Sequence, residues 1–252
     1  MTTKNTGRFA WFDLMTDNVD KAKTFYTELF NWKIQSMSIG DQSYEMFAAG
    51  EAAVGGIGKA EHPSLNNMWL AYTTVDNLDN TIKYLKQNGG NVLVPEVSLP
   101  SIGRWVIATD AQGIVFAPFQ SANNQTATEK MGYPLGQFCW HELGTTDVAK
   151  ATAFYTEAFG WEKGELNNCS GGGYYQVLQR NGQNFGGIGT FGPEVKPNWR
   201  HYVAVANVDE TAARCKQLGG KVIWEPMDIG EQGRIAVLND TQGAEIAIWA
   251  AK

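Results

Sequence analysis

A block of about 115 residues is written twice in this chain, and any fold it adopts must be one that can be built in duplicate. Phe9-Ala10-Trp11 returns as Phe138-Cys139-Trp140. Phe25-Tyr26-Thr27-Glu28 returns as Phe154-Tyr155-Thr156-Glu157, with Trp32 matched by Trp161. Gly55-Gly56-Ile57-Gly58 returns as Gly186-Gly187-Ile188-Gly189, and Trp69 and Tyr72 as Trp199 and Tyr202. Gly89-Gly90, Gly103-Arg104 and Gln112-Gly113 return as Gly219-Gly220, Gly233-Arg234 and Gln242-Gly243. The offset stays between 129 and 131 throughout, a register that chance does not hold. Between the copies, residues 121–135 are rich in Asn, Gln, Ser and Thr and contain Pro134, the composition of a surface linker. The expected organisation is therefore two domains, 7–120 and 136–252, each long enough to bury a core.

Each copy divides again. A strand at Phe9 to Met15 is followed by a helix whose apolar stripe is Val19, Ala22, Phe25, Tyr26 and Leu29, N-capped by Asn18 (Asp147 in the second copy). Three short strands near 32–38, 43–49 and 53–59 come next, separated by glycine-containing turns. A second strand, Trp69 to Val75, leads into a helix carrying Leu78, Ile82 and Leu85. That helix stops at Gly89-Gly90, and strands near 91–94, 104–109 and 114–119 follow. The order is βαβββ, four times over. The fold class is α+β: four βαβββ modules form two tandem domains with concave sheets. One helix covers one face of four strands, so the other face must curl around a partner module or a ligand. The modules can pair within a copy or across copies.

Hydrophobic residues at 43% and charged residues at 18% describe a globular chain. The net charge of −6, with lysines and arginines scattered, argues against nucleic acid as a partner. No apolar stretch approaches the ~20 residues of a membrane helix, and Met1 to Thr6 opens no signal peptide. Cys139, Cys169 and Cys215 form no paired framework and no CxxC, and Cys215 falls on a helix's apolar stripe. The expectation is a cytoplasmic protein, monomeric or homodimeric.

A strand, then Thr-x-Asn/Asp-Val, then a helix bearing Phe-Tyr-Thr-Glu-x-Phe-x-Trp resembles the vicinal oxygen chelate superfamily of glyoxalase I, bleomycin-resistance proteins and extradiol dioxygenases. The second modules agree, with Gly-Arg entering a strand and Asp110-x-Gln-Gly113 and Asp240-x-Gln-Gly243 turning into the last one. The resemblance is to the tandem glyoxalase-like branch and covers nearly the whole chain. It implies the fold. It does not fix the chemistry, because this fold hosts isomerases, oxygenases and binders.

The superfamily's chemistry normally uses a divalent metal held by His and Glu, with a coordination position open to substrate. Carried over one at a time, the ligand positions fall on Trp11 and Trp140, on the glycines near Gly56 and Gly187, on Leu70 and Arg200, and on Ala117 and Ala247. None of these side chains binds a cation. Alternation along the strands turns His141 and His201 away from the face that carries Trp140, Arg200 and Tyr202, and His62 sits in a turn. No metal and no other cofactor is expected.

The same alternation puts Phe9, Trp11 and Asp13 on the inner face of the first strand, and Phe138, Trp140 and Glu142 in its copy. Tyr72 joins them in one half, and Arg200 and Tyr202 in the other. The last strands add Phe119, and Glu245 with Trp249. An aromatic wall with a few polar groups is the usual composition of a small-molecule site. Asp13 and Glu142, with pKa raised by apolar walls, are the candidate general bases. Trp11, Tyr72, Trp140, Arg200, Tyr202, Glu245 and Trp249 are the candidate ligand contacts. Arg104 and Arg234 pair with an anion or brace a turn. Three readings follow. The favoured one is a metal-independent binder of a small aromatic or carbonyl-containing molecule. The others are a glyoxalase-like lyase or isomerase with the acid as base, and a metal-dependent dioxygenase using Glu245. Because Leu70 faces Arg200 and Val115 faces Glu245 across the repeat, the two copies need not both be active.

Overall fold

The computed structural model describes residues 6–39, 42–123, 133–168, 173–191 and 196–252. Cys169 and the middle of the expected linker lie outside them. The first copy runs β1 (Phe9–Thr16), α1 (Val19–Phe30), β2 (Lys33–Ile39), β3 (Gln42–Ala49) and β4 (Ala52–Lys59), then β5 (Met68–Thr74), α2 (Leu78–Gln87), β6 (Asn91–Leu99), β7 (Gly103–Thr109) and β8 (Val115–Ser121). The second repeats it as β9 (Phe138–Gly144), α3 (Val148–Phe159), β10 (Glu162–Asn168), β11 (Tyr174–Arg180) and β12 (Gln183–Gly189). It closes with β13 (Asn198–Ala204), α4 (Val208–Gln217), β14 (Lys221–Asp228), β15 (Arg234–Asn239) and β16 (Glu245–Ala250). The βαβββ order thus occurs four times, in an α+β fold.

Local chemistry sets the element ends. Asn18, Asn77, Asp147 and Asn207 each accept a hydrogen bond from the backbone N–H three residues on, at 2.8–3.1 Å, satisfying one orphan donor of each helix. The helix α3 ends at Gly160 with φ 65°, which glycine adopts without a Cβ clash, and α1 ends at Asn31 with φ 55°. Strand β6 runs further than the expected 91–94, through Pro95, and β14 likewise passes through Pro226. Each is the last strand of its sheet, and there a missing N–H breaks no ladder on the outer side. Strand β8 likewise continues to Ser121, past the expected domain boundary.

Within each module the three later strands are antiparallel and the first strand adds parallel to the last. β1 pairs with β4, β9 with β12, β5 with β8 and β13 with β16. The register sets Asp13 against Gly56 and Glu142 against Gly187. It also sets Tyr72 against Ala117 and Tyr202 against Ala247.

The chain forms two compact units, and each draws on both copies. The first takes its residues from Met1–Ala10, Ala71–Lys130 and His141–Trp199, and the second from Trp11–Leu70, Met131–Trp140 and Arg200–Lys252. Inside the first unit, the Phe-Tyr-Thr-Glu helix of one copy meets the Asp-x-Gln-Gly turn of the other. The Tyr155 hydroxyl, fully buried, donates to Asp110 Oδ2 at 3.1 Å. Gln112 Oε1 accepts from the hydroxyls of Thr145 and Thr146 at 2.8 and 3.0 Å. The second unit repeats the arrangement. Gln242 donates to Thr16 Oγ1 and to the Asn18 carbonyl at 2.7 and 3.0 Å, and Tyr26 lies beside Asp240. Trp161 donates to the Gly7 carbonyl at 2.6 Å and Trp32 to that of Gly136 at 2.8 Å, so each indole holds the lead-in of the other copy.

The aromatic cores explain two departures from strict alternation. Phe9 packs against His141, Trp161, Phe185 and Trp199 at ring separations of 4.2–6.0 Å. Phe138 packs against Phe12, Trp32, Trp69 and His201 at 4.0–6.3 Å. Both rings therefore join the cores of their units. Cys215 is fully buried on α4, as its place on the apolar stripe implies.

Candidate functional site

The carboxylates singled out in the opening strands are each held by a tyrosine. In the second unit, Trp11 donates through Nε1 to the Tyr44 hydroxyl at 2.6 Å and to Asp13 Oδ1 at 3.0 Å, and Tyr44 donates in turn to Asp13. Burial, then the Asp13 charge, holds the Tyr44 phenol well above the usual tyrosine range, so it stays a donor. In the first unit, Tyr175 donates to Glu142 Oε1 at 3.0 Å. Both tyrosines reach over a glycine of the next strand. A Cβ at Gly56 would overlap the Tyr44 hydroxyl and the Asp13 carboxylate, and one at Gly187 would overlap the Tyr175 ring. Tyr44 and Tyr175 were missed by the sequence reading, although they recur at the same offset of 131 as the glycines beneath them.

The inner face of β13–β16 in the second unit carries the richest group. Arg200 donates through Nε to Glu245 Oε1 at 2.9 Å, with side-chain exposures of 2% and 24%. The guanidinium carbon stands 4.2 Å from the centroid of the Trp224 ring, a cation–π geometry. Beside them Tyr202, Ile235, Val237 and Ala247 form a cluster against which Trp140, Trp224 and Trp249 pack. The Trp249 indole is fixed by donation to the Gln232 carbonyl at 2.7 Å, and Tyr133 lies edge-on to it at 5.1 Å. Six of the seven expected contact residues, Trp11, Trp140, Arg200, Tyr202, Glu245 and Trp249, thus stand in one unit with Trp224. Nothing in the repeat pointed to Trp224, because its counterpart is Val94.

In the first unit Tyr72, 7% exposed, meets Trp105 edge-on at 6.0 Å, and Trp105 meets Phe119 at 6.3 Å. Arg104 and Arg234 each pair with two carboxylates. Arg104 pairs with Asp79 and Glu96, and Arg234 forks onto Asp209 and pairs with Asp228. Asp79 and Asp209 lie in the first turns of α2 and α4, where an acid also complements the helix dipole.

Within their units, His141 and His201 lie among core rings. His201, 1% exposed, sits 5.0 Å from Phe12, and burial pulls its pKa down to about 3. His141 lies 4.2 Å from Phe9. His62 caps a single turn, its Nδ1 accepting from the Ser64 N–H at 3.1 Å. The thiol of Cys139 is pushed up to about 12 by burial, which leaves it protonated and a poor nucleophile.

A divalent metal is implied by the resemblance, and the residues present do not fit one. The positions that would supply ligands hold Trp11, Trp140, Gly56, Gly187, Leu70, Arg200, Ala117 and Ala247. Space at both glycines is taken by a tyrosine, and at Arg200 a cation is already in place. Among the described residues, no three His, Cys, Asp or Glu side chains are grouped to hold an ion.

A family model described as Glyoxalase/Bleomycin resistance protein/Dioxygenase superfamily matches residues 8–117, and one described as Glyoxalase-like domain matches residues 140–249. A Mycobacterium tuberculosis protein (strain CDC 1551 / Oshkosh) bearing the name "Putative glyoxylase CFP32" is 32% identical over 94% of this chain and 92% of its own length. The chain belongs to the glyoxalase/bleomycin resistance/dioxygenase superfamily. Anthracycline biosynthesis protein DauV of Streptomyces sp. (strain C5) is 28% identical over 98% of this chain and 94% of its own. Among solved structures, the Mn(II)-bound glyoxalase from Novosphingobium aromaticivorans superposes with a TM-score of 0.62 at 15% identity, over 99% of this chain and 83% of that one. The 2,2',3-trihydroxybiphenyl 1,2-dioxygenase of Sphingomonas wittichii strain RW1 gives 0.63 at 11% identity, over 98% and 91%. These two likenesses speak to fold alone. Among the described residues, no helix is long and apolar enough to cross a membrane.

Proposed function

We propose that this superfamily member binds a small aromatic or carbonyl-containing molecule against the aromatic face of its second copy, and that it does so without a divalent metal. The observation that carries the reading is the Arg200–Glu245 pair set among Trp140, Tyr202, Trp224 and Trp249. Flat rings offer stacking area at little entropic cost, and one donor-rich group fixes orientation. The name of the Streptomyces relative, an anthracycline biosynthesis protein, supports a planar ligand. The test is calorimetric titration of 2-acetylnaphthalene into protein purified in EDTA and assayed for metal. Saturable binding by metal-free protein is the expected result. Binding that appears only after one equivalent of Mn(II) or Zn(II) is restored would refute it.

A second reading rests on the tyrosine-held carboxylates. A glyoxalase-like lyase or isomerase needs a base near a carbon acid, and Asp13 and Glu142 are half-buried carboxylates, each ordered by a phenol. The phenol holds each carboxylate in one orientation, as a group that accepts a proton from a carbon acid must be held. Turnover of methylglyoxal–thiol adducts that Glu142→Gln abolishes is the result this reading requires.

A further inference from the structure

The chain contains its own control for the buried ion pair. Arg200 and Glu245 correspond, at the same offset of 130, to Leu70 and Val115. The strands that carry them have the same parallel register, Tyr202 against Ala247 and Tyr72 against Ala117. Leu70 is 1% exposed and Arg200 2% exposed. The same strand position thus buries an apolar side chain, Leu70, in the first copy and a charged one, Arg200, in the second. The fold does not need the charge. Taking a guanidinium out of water costs several kcal/mol before pairing, and an apolar replacement of similar size is often neutral or stabilising. A charge kept at such a position calls for a role other than folding.

The surroundings say what that role is. Glu245 holds the guanidinium through Nε, and the Trp224 ring lies against its face, so its orientation is fixed from two sides. Arginine has five N–H donors and no acceptor. A ligand group directed at it must therefore be an acceptor. Tyr202, Trp140, Trp224 and Trp249 supply flat apolar surface next to it.

Building on the reading of an aromatic-binding site, we infer that the second copy is selective for planar aromatic ligands bearing an acceptor oxygen on the ring system, an aryl carbonyl or a phenolate. Arg200 is the specificity-determining residue and Glu245 positions it. The first copy, with Leu70 and Val115, lacks this selectivity.

The experiment compares 2-acetylnaphthalene with 2-ethylnaphthalene, which has the same ring and nearly the same shape but no oxygen. Calorimetry on the full chain gives the ratio of their affinities. The variant is Arg200→Leu/Glu245→Val, which installs the residues the first copy already tolerates, with circular dichroism and an unfolding midpoint to establish that it folds. Arg200→Lys, which keeps a charged partner for Glu245, is measured alongside. The expected result is a preference for the ketone of about tenfold or more in the natural chain, the factor a hydrogen bond to a charged group supplies. The preference falls to about one in the double variant and to an intermediate value in Arg200→Lys. An equal affinity for both probes in the natural chain overturns the inference while leaving the aromatic-binding reading standing. So does a ketone preference that survives in either a folded double variant or Arg200→Lys undiminished. Failure of both probes to bind the natural chain overturns the inference and that reading together.

Discussion

At the scale of single residues, the glycine–tyrosine exchange carries the most information. Tyr44 both accepts from Trp11 and donates to Asp13, so Tyr44→Phe removes two hydrogen bonds from a half-buried group. We expect a loss of about 1–2 kcal/mol in urea unfolding. Gly56→Ala attacks the same contact from below, forcing the phenol aside, and should cost about 1–3 kcal/mol as an overpacking change. His201 contributes the acid limb of the stability profile. Its folded pKa, about 3, lies below the 6.5 of an unburied imidazole, so the unfolded chain takes up the proton first. The stability it provides is complete above pH 6.5 and is lost as pH falls from there toward 3, at up to about 1.4 kcal/mol per pH unit. Unfolding midpoints of His201→Phe measured between pH 7 and 4 should decline less steeply than those of the natural chain; identical slopes would count against this account. Side-chain direction is read in the sequence from period-two alternation alone. It was misread for Phe9 and Phe138, which period-two alternation sends inward. Each instead finds a ring cluster in the core of its unit, at the first residue of its strand.

Elements are joined here by motifs that the repeat exposed without explaining. The Phe-Tyr-Thr-Glu helix and the Asp-x-Gln-Gly turn recur because the tyrosine of one copy contacts the aspartate of the other. Asp110 accepts from the N–H groups of Gln112 and Ile114, at 2.8 and 2.9 Å, as well as from Tyr155. Burial raises its pKa despite those donors, as it does for Asp240. Removing the hydroxyl with Tyr155→Phe leaves the Asp110 carboxylate short of a donor in a dry site. We expect destabilisation of about 1–3 kcal/mol by chemical denaturation, with the helix content of the folded state retained. Strand type and order were readable from hydrophobic period and turn residues. The length of β6 was not, since it passes the expected 91–94 through Pro95, which the outer side of an edge strand tolerates.

For the whole molecule, the decisive fact is that each compact unit is built from both copies. The Tyr155 helix needs the Asp110 turn, and the Thr16 loop needs Gln242. We therefore expect residues 1–123 and 133–252, produced separately, each to lack a sharp cooperative unfolding transition, and the two mixed together to regain one. A separate first half that unfolds cooperatively as a monomer would contradict this. By itself the sequence determined the duplication, the fourfold βαβββ order, the caps and the superfamily, because these rest on local periodicity and on a register written in the chain. It also exposed the mismatch at the family's metal positions, since a residue's type can be read without coordinates. Only the tertiary structure decided how the modules share their cores, that Tyr44 and Tyr175 fill the space over the glycines, and that Trp224 lies against Arg200. Those contacts join residues dozens of positions apart, through packing that no local pattern encodes.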